Sequence, residues 1–381
     1  MNSLLKSLFF KHRVASVLMF VLVVACGSQA ASAATSFGQI NLVTDDQTAN
    51  PAQVADTKLK NPWGVSYRPA GPFWVSNNAT GTSTLYNVDP ATNATTPLAL
   101  VVSIPGAGNV TGQVSNGNPQ AFNGDPFLFV SEDGTVSGWR NTLGTTAETI
   151  VTGAPNKLYK GVAEATVAGN SYLYAANFGT GAIDVIKGSA GAADLGNFTD
   201  PNLPSGYAPF NIQSLGDKLY VAYALKDNAS PDEVAGAGLG FVSVFDFQGN
   251  FLDRVASGGV LNAPWGLAIA PSSFGEFAGN LLVGNFGDGT INAYNLLNNS
   301  FAGQLTDGNG QALKIDGLWA LTVGNDGNAG SSQKIYFTAG PGGEAHGLFG
   351  AITVVPVPAA FWLFGSVLLG FGVFGKRQSL A

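Results

Sequence analysis

The chain has 381 residues, of which only 11% are charged, and it contains 51 glycines. So few charges exclude a fold of helices laced with ion pairs, while the glycines favour short strands joined by tight turns. The formal net charge of −7 excludes the basic surface that nucleic-acid binding requires.

The first 33 residues have the order of an export signal. Three basic residues precede an apolar stretch at 14–25, and small residues follow up to Ala33. We expect cleavage near Ala33, because the translocon accepts the apolar segment and the peptidase accepts small side chains. The alternative is lipoprotein-type processing at Cys26. Cys26 is the only cysteine, so ordinary cleavage leaves a mature chain without disulfides.

The body, residues 34–354, repeats with a period near fifty residues. The clearest copies begin "NPWGVSY" at Asn61, "YKGVAEA" at Tyr159 and "NAPWGLA" at Asn262. Weaker copies begin at Pro209, at Asp316 and around Gly112. The sequence therefore contains six units.

Each unit is predicted to contain four short strands divided by Gly, Asn or Pro. In the fifth unit we place them at Trp265–Ala270, Leu281–Asn285, Thr290–Tyr294 and Phe301–Leu305. Such units are typical of β-propeller blades, and closure into a ring avoids long unpaired edges. We therefore predict an all-β, six-bladed β-propeller, with a β-sandwich or solenoid as the structural alternative.

The last unit contains only three predicted strands. These are Trp319–Val323, Lys334–Thr338 and Leu348–Val354. The stretch Gly38–Thr44, which precedes the first unit, is expected to supply the missing outer strand and so to close the ring.

The C-terminal segment, residues 355–381, is predicted to be a membrane anchor. Ala359–Gly375 is uncharged and as a helix would be roughly 25 Å long, close to the width of a bilayer core. Lys376 and Arg377 follow on the side that the positive-inside rule assigns to the cytoplasm. The alternative is a buried apolar helix of the main domain.

The tail also resembles a known class of sorting signals. The motif "VPVPA", formed by Val355, Pro356, Val357, Pro358 and Ala359, is followed by an apolar run and a basic pair. This order resembles the VPxPA variant of the PEP-CTERM tails, which implies processing by exosortase, a membrane enzyme of Gram-negative bacteria that make exopolysaccharide. The tail lacks the commoner Pro-Glu-Pro form, which leaves the sortase variant open.

The body resembles an exported bacterial propeller family. The phrases "AANFGTGAIDVIK" and "VGNFGDGTINAYN" are similar to that family, which is distantly similar to NHL and gluconolactonase-type propellers. The resemblance covers Phe37 to about Val354. It implies a fold and a location, without an established activity.

A divalent-metal site is one hypothesis for the face that carries the loops before the innermost strands. Glu164, Asn211, Asn262 and Asp316 offer oxygen donors there, of the type that Ca²⁺ prefers, and gluconolactonase-like propellers imply an ion at this place. The competing interpretation is turn chemistry, because Asn and Asp before a strand commonly bind nearby backbone amides.

No catalytic residue is assigned. After signal cleavage His346, in "GPGGEAHG", is the only histidine, and a solvated loop is the simpler interpretation. Glu132 and Asp133 are interpreted as a hairpin turn, although a carboxylate pair for glycoside hydrolysis stays open. Trp63, Trp265 and Trp319 recur at matching positions and are interpreted as packing between blades.

The sequence favours an exported envelope or matrix protein that binds exopolysaccharide or a surface partner. Five of the 17 basic residues lie in the two terminal segments, so the body is more acidic than the whole chain, which suits cations or neutral sugars. The alternative is a metal-dependent, lactonase-like hydrolase that uses the four oxygen-donor residues.

Overall fold

The computed structural model describes residues 35–227 and 229–355. These residues form 25 strands and four short 3-10 helices. The predicted signal peptide with Cys26, and the predicted tail from Pro356 onward, lie outside the described residues. Within the described ranges, no helix is both long enough and apolar enough to cross a membrane.

Six sheets form the blades of a propeller. The chain begins with β1 (Ser36–Thr44) and β2 (Val54–Ala55). Blade 1 contains β3 (Pro62–Ser66), β4 (Phe73–Asn77), β5 (Thr82–Val88) and β6 (Thr95–Ser103). Blade 2 contains β7 (Val110–Ser115), β8 (Phe127–Ser131), β9 (Val136–Trp139) and β10 (Glu148–Val151). Blade 3 contains β11 (Tyr159–Val167), β12 (Asn170–Asn177) and β13 (Ala182–Lys187).

The remaining blades follow in chain order. Blade 4 contains β14 (Tyr207–Leu215), β15 (Lys218–Lys226), β16 (Glu233–Val234), β17 (Phe241–Phe245) and β18 (Phe251–Ser257). Blade 5 contains β19 (Pro264–Ile269), β20 (Leu281–Asn285), β21 (Ile291–Asn295) and β22 (Ser300–Gln304). Blade 6 contains β23 (Leu318–Val323), β24 (Ile335–Ala339) and β25 (Leu348–Val355), completed by β1. The 3-10 helices are Asn78–Thr80, Phe122–Gly124, Asn141–Leu143 and Gly275–Phe277.

The innermost strands form a closed ring. They contact one another in the order β3, β7, β11, β14, β19, β23 and back to β3. This closure confirms the predicted six-bladed propeller, and the β-sandwich and solenoid alternatives are wrong. The predicted strands of the fifth and sixth units match β19 to β25 to within one or two residues.

The core is divided into layers between neighbouring blades. In β20, Leu281 and Val283 pack toward blade 4, whereas Leu282, between them, packs toward blade 6. Because successive side chains of a strand point to opposite faces, a blade that is covered on both faces needs apolar residues at every position. This is why the second strands are apolar runs such as "LLV", while outer strands such as β22 are exposed.

The N-terminal strand closes the ring, as predicted. β1 pairs with β25 in antiparallel register from Ser36 opposite Val355 to Thr44 opposite Leu348, with one bulge between Asn41 and Val43. The last and first strands of the body are therefore hydrogen-bonded neighbours in one blade.

Blade 3 departs from the prediction of four strands in each unit. Its sheet ends at β13, and the segment 188–206 that would form a fourth strand packs against blade 4 instead. There, Gly196 N donates to Gln248 O at 2.7 Å, and the buried carboxylate of Asp200 accepts bonds from Ser243 and Arg254. The sequence "GSAGAADLG" has low β-propensity, which accounts for the missing strand.

The ring closure gives a first prediction. Phe37 of β1 is 1% exposed and packs against Phe274 and Phe277 of blade 5, with ring centroids 5.0 and 5.9 Å away. Phe37→Ala should lower the free energy of unfolding by about 3 to 5 kcal/mol, because it leaves a cavity at the closing strand. Phe301→Ala is the matched control, since Phe301 is 49% exposed, and should change it by less than about 1 kcal/mol. Urea denaturation measures both, and equal effects would contradict the importance of the closure.

Candidate functional site

Two sets of loops meet on one face of the propeller, which we name the upper face. They are the segments before the innermost strands and the turns between second and third strands. Asn78 N donates to Asn61 O at 3.0 Å, Glu132 N to Asn109 O at 3.0 Å, and Phe178 N to Leu158 O at 2.8 Å. The same arrangement in three successive blades confirms that these loops share a face, as predicted.

Three tryptophans occupy the axis beneath this face. Trp63 stacks on Trp319 with centroids 3.7 Å apart, and Trp265 meets both edge-on at 6.4 and 5.8 Å. Phe178, Phe210 and Phe286 complete the cluster. The three tryptophans were predicted to pack between blades, and in the structure they also pack against one another across the axis. We name this cluster the tryptophan plug.

Lys160 is an unexpected residue beside the tryptophan plug. It occupies in blade 3 the position that Trp63, Phe210, Trp265 and Trp319 occupy in four other blades, at the register shift of the inner strand. Lys160 is 1% exposed, and its Nζ lies 5.1 Å from the Trp63 ring centroid. A buried ammonium ion requires compensating charge.

Four carboxylates supply that charge, and we name them the axial carboxylate ring: Glu132, Asp232, Glu233 and Glu344. Lys160 Nζ donates to Glu132 Oε1 at 2.8 Å and lies 3.7 Å from Asp232 Oδ1. Burial by itself lowers the pKa of Lys160, but the fields of Glu132, Glu233 and Asp232 raise it overall. The lysine is therefore charged at neutral pH.

The ring draws its members from three blades. Glu132 lies in the β8–β9 hairpin, and Glu344 lies in the loop between β24 and β25. Asp232 and Glu233 come from the long insertion 226–238, whose short strand β16 pairs back onto the end of β15. The insertion thus carries two acids to the axis.

Burial shifts the protonation of two members. It raises the pKa of Glu233 to about 7, with Lys160 partly opposing the shift. Burial also raises the pKa of Glu344, although a hydrogen bond from Asn61 opposes it. The pKa of Glu233 therefore lies near neutral pH, well above that of an ordinary glutamate.

Side-chain amides join the ring to the plug. Asn61 Nδ2 donates to Glu344 Oε2 at 2.6 Å, and Asn61 Oδ1 accepts from Trp319 Nε1 at 3.0 Å. Asn78 Nδ2 donates to Glu132 Oε2 at 3.4 Å. These hydrogen bonds hold Glu344 and Glu132 above the tryptophan plug.

The four predicted metal ligands lie at separate positions. Asn211 Nδ2 donates to Trp265 O at 2.8 Å, between blades 4 and 5. Asn262 Oδ1 accepts from Gly236 N at 2.7 Å, and Asp316 Oδ2 accepts from Gly342 N at 2.8 Å. Glu164 lines a cavity at the other end of the channel.

No hydrogen bond joins any two of these four residues. In the described ranges, no group of three or more acidic, histidine or cysteine side chains is placed to hold a metal ion. A metal bound by Glu164, Asn211, Asn262 and Asp316 together stays a prediction.

Turn chemistry accounts for the repeated Asn residues. Asn285 Oδ1 accepts from Asn262 N at 3.1 Å while its Nδ2 donates to Val260 O at 2.8 Å, and Asn177 Oδ1 accepts from Leu158 N at 3.1 Å. Asp133 accepts from Thr135 N at 2.9 Å, as the predicted hairpin requires. Glu132, however, turns to the axis.

His346 is less free than the interpretation as a solvated loop implies. Its Nδ1 lies 3.1 Å from Asp45 Oδ2, and Asp45 also pairs with Lys60 and accepts from Gly347 N at 2.8 Å. Burial alone would raise the pKa of Asp45, but the bonds from Lys60, Gly347 and His346 lower it overall. In the part of the chain that the structure describes, no hydroxyl bonds to His346, so this pair fastens β1 to the loop before β25.

The sequence already indicated that Lys160 occupies an unusual position, but no prediction used this indication. The fragment "YKG" aligns with "PWG" in the first and fifth units, so a charge replaces an aromatic side chain at a buried position. The partners Asp232 and Glu233 carry no such signal, because an insertion has no counterpart in the other units.

Comparison with known proteins gives a fold and a family. No family model matches the chain. A virginiamycin B lyase from Staphylococcus aureus superposes with a TM-score of 0.51 at 13% identity, over 84% of this chain and 100% of that one. This likeness shows the propeller fold alone.

Two viral sequences are much more similar. The uncharacterized protein R648 of Acanthamoeba polyphaga mimivirus is 32% identical over 336 residues, which cover 82% of this chain and 80% of the viral protein. The uncharacterized protein L690 of the same virus is 31% identical over 320 residues, which cover 78% and 81%. The chain belongs to the same family as these two mimivirus proteins.

Proposed function

We propose that this protein is an exported envelope or matrix propeller that binds a polysaccharide carrying free amino groups through the axial carboxylate ring. The observation that carries the proposal is the charge of the ring, in which four carboxylates face one lysine. Glu132 already neutralises Lys160 through their 2.8 Å contact. The remaining acids therefore leave an excess of negative charge that attracts cations.

The exposure of the ring suits a ligand that arrives from solvent. The side chain of Asp232 is 63% exposed and that of Glu132 is 23% exposed, while Lys160 beneath them is 2% exposed. A cationic group can thus reach the carboxylates without displacing the lysine. Fixed oxygen acceptors then bind it by charge-assisted hydrogen bonds.

The positions of the two terminal strands of the body support an envelope role. Ser36 and Val355 are paired at the end of blade 6 that is remote from the upper face. An anchor that follows Val355 would leave the upper face directed away from the membrane and open to a partner. Export, the membrane anchor and exosortase processing at the VPVPA motif are parts of this proposal, and the resemblance of both terminal segments to known signals supports them.

A metal-dependent, lactonase-like hydrolase is the alternative proposal. One observation favours acid–base chemistry on the upper face, because the pKa of Glu233 is about 7, which suits proton transfer at neutral pH. A hydrolase would also need the ion that the sequence predicts at Glu164, Asn211, Asn262 and Asp316, whose side chains are bonded separately.

Binding to chitosan oligomers tests the main proposal. We expect binding at low salt that weakens as salt screens the charges, and no binding of neutral dextran or anionic alginate. Glu344→Gln should weaken chitosan binding about threefold to tenfold, because one charge-assisted contact is lost. Asp217→Asn is the matched control, since it removes the same charge from an exposed turn remote from the ring. Isothermal titration calorimetry measures the three affinities.

Two results would contradict this assignment. One is equal weakening by Asp217→Asn and Glu344→Gln, which would mean that only the net charge matters. The other is preferential binding of alginate.

The protonation of Glu233 gives a prediction about stability. Its pKa is raised in the folded state, so the ionised form destabilises the fold, and stability falls as pH rises from about 4.5 to about 7. Glu233→Gln mimics the protonated form and should raise the free energy of unfolding at pH 8 by on the order of 2 kcal/mol, with little effect at pH 4. Urea denaturation at both pH values tests it. A loss of stability at pH 8 would show that the ionised carboxylate stabilises the protein.

Calcium titration tests the alternative. Since the four predicted ligands are bonded apart, we expect millimolar Ca²⁺ after chelation to change the melting temperature equally in the wild type, Glu164→Gln and Asp316→Asn. A tight ion site would raise stability by ~4 kcal/mol at a thousandfold excess over Kd. A rise that both variants abolish would favour the hydrolase.

A further inference from the structure

The lower end of the channel contains a second concave site. A cavity of about 290 Å³ opens there, below the tryptophan plug. Its walls are the lower ends of inner strands from blades 1, 2, 3, 4 and 6. The volume is near the lower limit of small-molecule sites, which suits a ligand of monosaccharide size.

Polar side chains without hydrogen-bond partners among the described residues line this cavity. Ser66 Oγ is buried and has no hydrogen-bond partner among the described residues. The side chains of Ser115, Gln213 and Ser214 also line the space and form no hydrogen bond within residues 35–227 and 229–355. Buried polar groups are normally paired, so the unpartnered Ser66 hydroxyl points to a polar occupant, and the partly exposed side chains of Ser115, Gln213 and Ser214 offer further donors and acceptors beside it.

Gln113 shows the contrast with a structural amide on the same wall. Its Oε1 accepts from Ser76 Oγ at 2.9 Å and Ser83 Oγ at 3.1 Å, and its Nε2 donates to Trp74 O. This amide is fully occupied in joining blades 1 and 2. The side-chain amide of Gln213 forms no such hydrogen bonds among the described residues.

Glu164 is the only charged group that lines the cavity. Burial raises its pKa, and the hydroxyl of Ser171 opposes the shift. No Lys or Arg lines the space with it. An anionic ligand is therefore excluded, because its charge would repel an unpaired carboxylate.

The mixture of donors and acceptors favours a polyol over a cation. Ser hydroxyls and the Gln213 amide can each donate and accept, whereas a cation needs acceptors only. Val65, Val114 and Ala163 add apolar contact for the carbon skeleton. We propose that this lower cavity binds a small uncharged polyol of monosaccharide size, with the Glu164 carboxylate accepting its hydroxyl protons.

This site is independent of the upper one. The tryptophan plug separates the two, and no residue of the axial carboxylate ring lines the lower cavity. The lower cavity takes a neutral ligand, whereas the axial carboxylate ring takes a cationic one, so either assignment can fail without the other.

Saturation-transfer NMR on the full chain tests the proposal, with D-glucose, D-galactose and myo-inositol as probes. We expect transfer to at least one probe, because the method detects weak binding and is insensitive to the general stabilisation that sugars cause by exclusion. Glu164→Gln and Gln213→Leu should each weaken binding about tenfold, through loss of a charge-assisted or an amide hydrogen bond. Asp253→Asn, on the exposed outer strand β18, is the control and should leave it unchanged.

Melting curves confirm that each variant is folded. Absence of transfer to all three probes, or equal affinities in the wild type, Glu164→Gln and Gln213→Leu, would overturn the proposal and leave a cavity filled by water alone.

Discussion

The pairing of β1 with β25 is the constraint on which the rest of the structure depends. A propeller has no single core, because its apolar residues lie in separate layers between neighbouring blades. Each layer is complete only when the blade on its other side is present. The layer between blades 5 and 6 and the layer between blades 6 and 1 therefore both need blade 6, whose outer strand comes from the opposite end of the chain. The body closes only when residues more than 300 positions apart meet.

Closure brings six inner strands to one axis and creates a packing problem there. Aromatic side chains from the inner strands of four blades fill the middle of the channel, and the inner strand of blade 3 contributes a lysine instead. One buried ammonium ion then requires carboxylates, and burial raises the pKa of Glu233 and Glu344, to which the neighbouring acids add. The chemistry of the upper face thus follows from a single substitution in a repeated position.

The sequence predicted the fold well and the site poorly, for physical reasons. Strand periodicity and turn residues recur in every unit, so six copies of one pattern support one another. The contribution of Gly38–Thr44 was also predictable, because the last unit lacked a strand. The carboxylates around Lys160 were not, since they come from a hairpin, a loop and an insertion that only the closed ring brings together. The four predicted oxygen donors, among them Glu164 and Asn211, lie at separate positions along the channel, and an ion shared between them stays a prediction.

The position of Val355 has a mechanical consequence. Hydrogen bonds of an antiparallel ladder lie perpendicular to the strands, and β25 has such bonds on both sides, to β24 and to β1. If the body is tethered through Val355 while a ligand pulls on the upper face, the force runs along β25. All of its bonds are then loaded together in shear rather than broken one after another, so the strand that leads to the tether is the one best placed to carry tension.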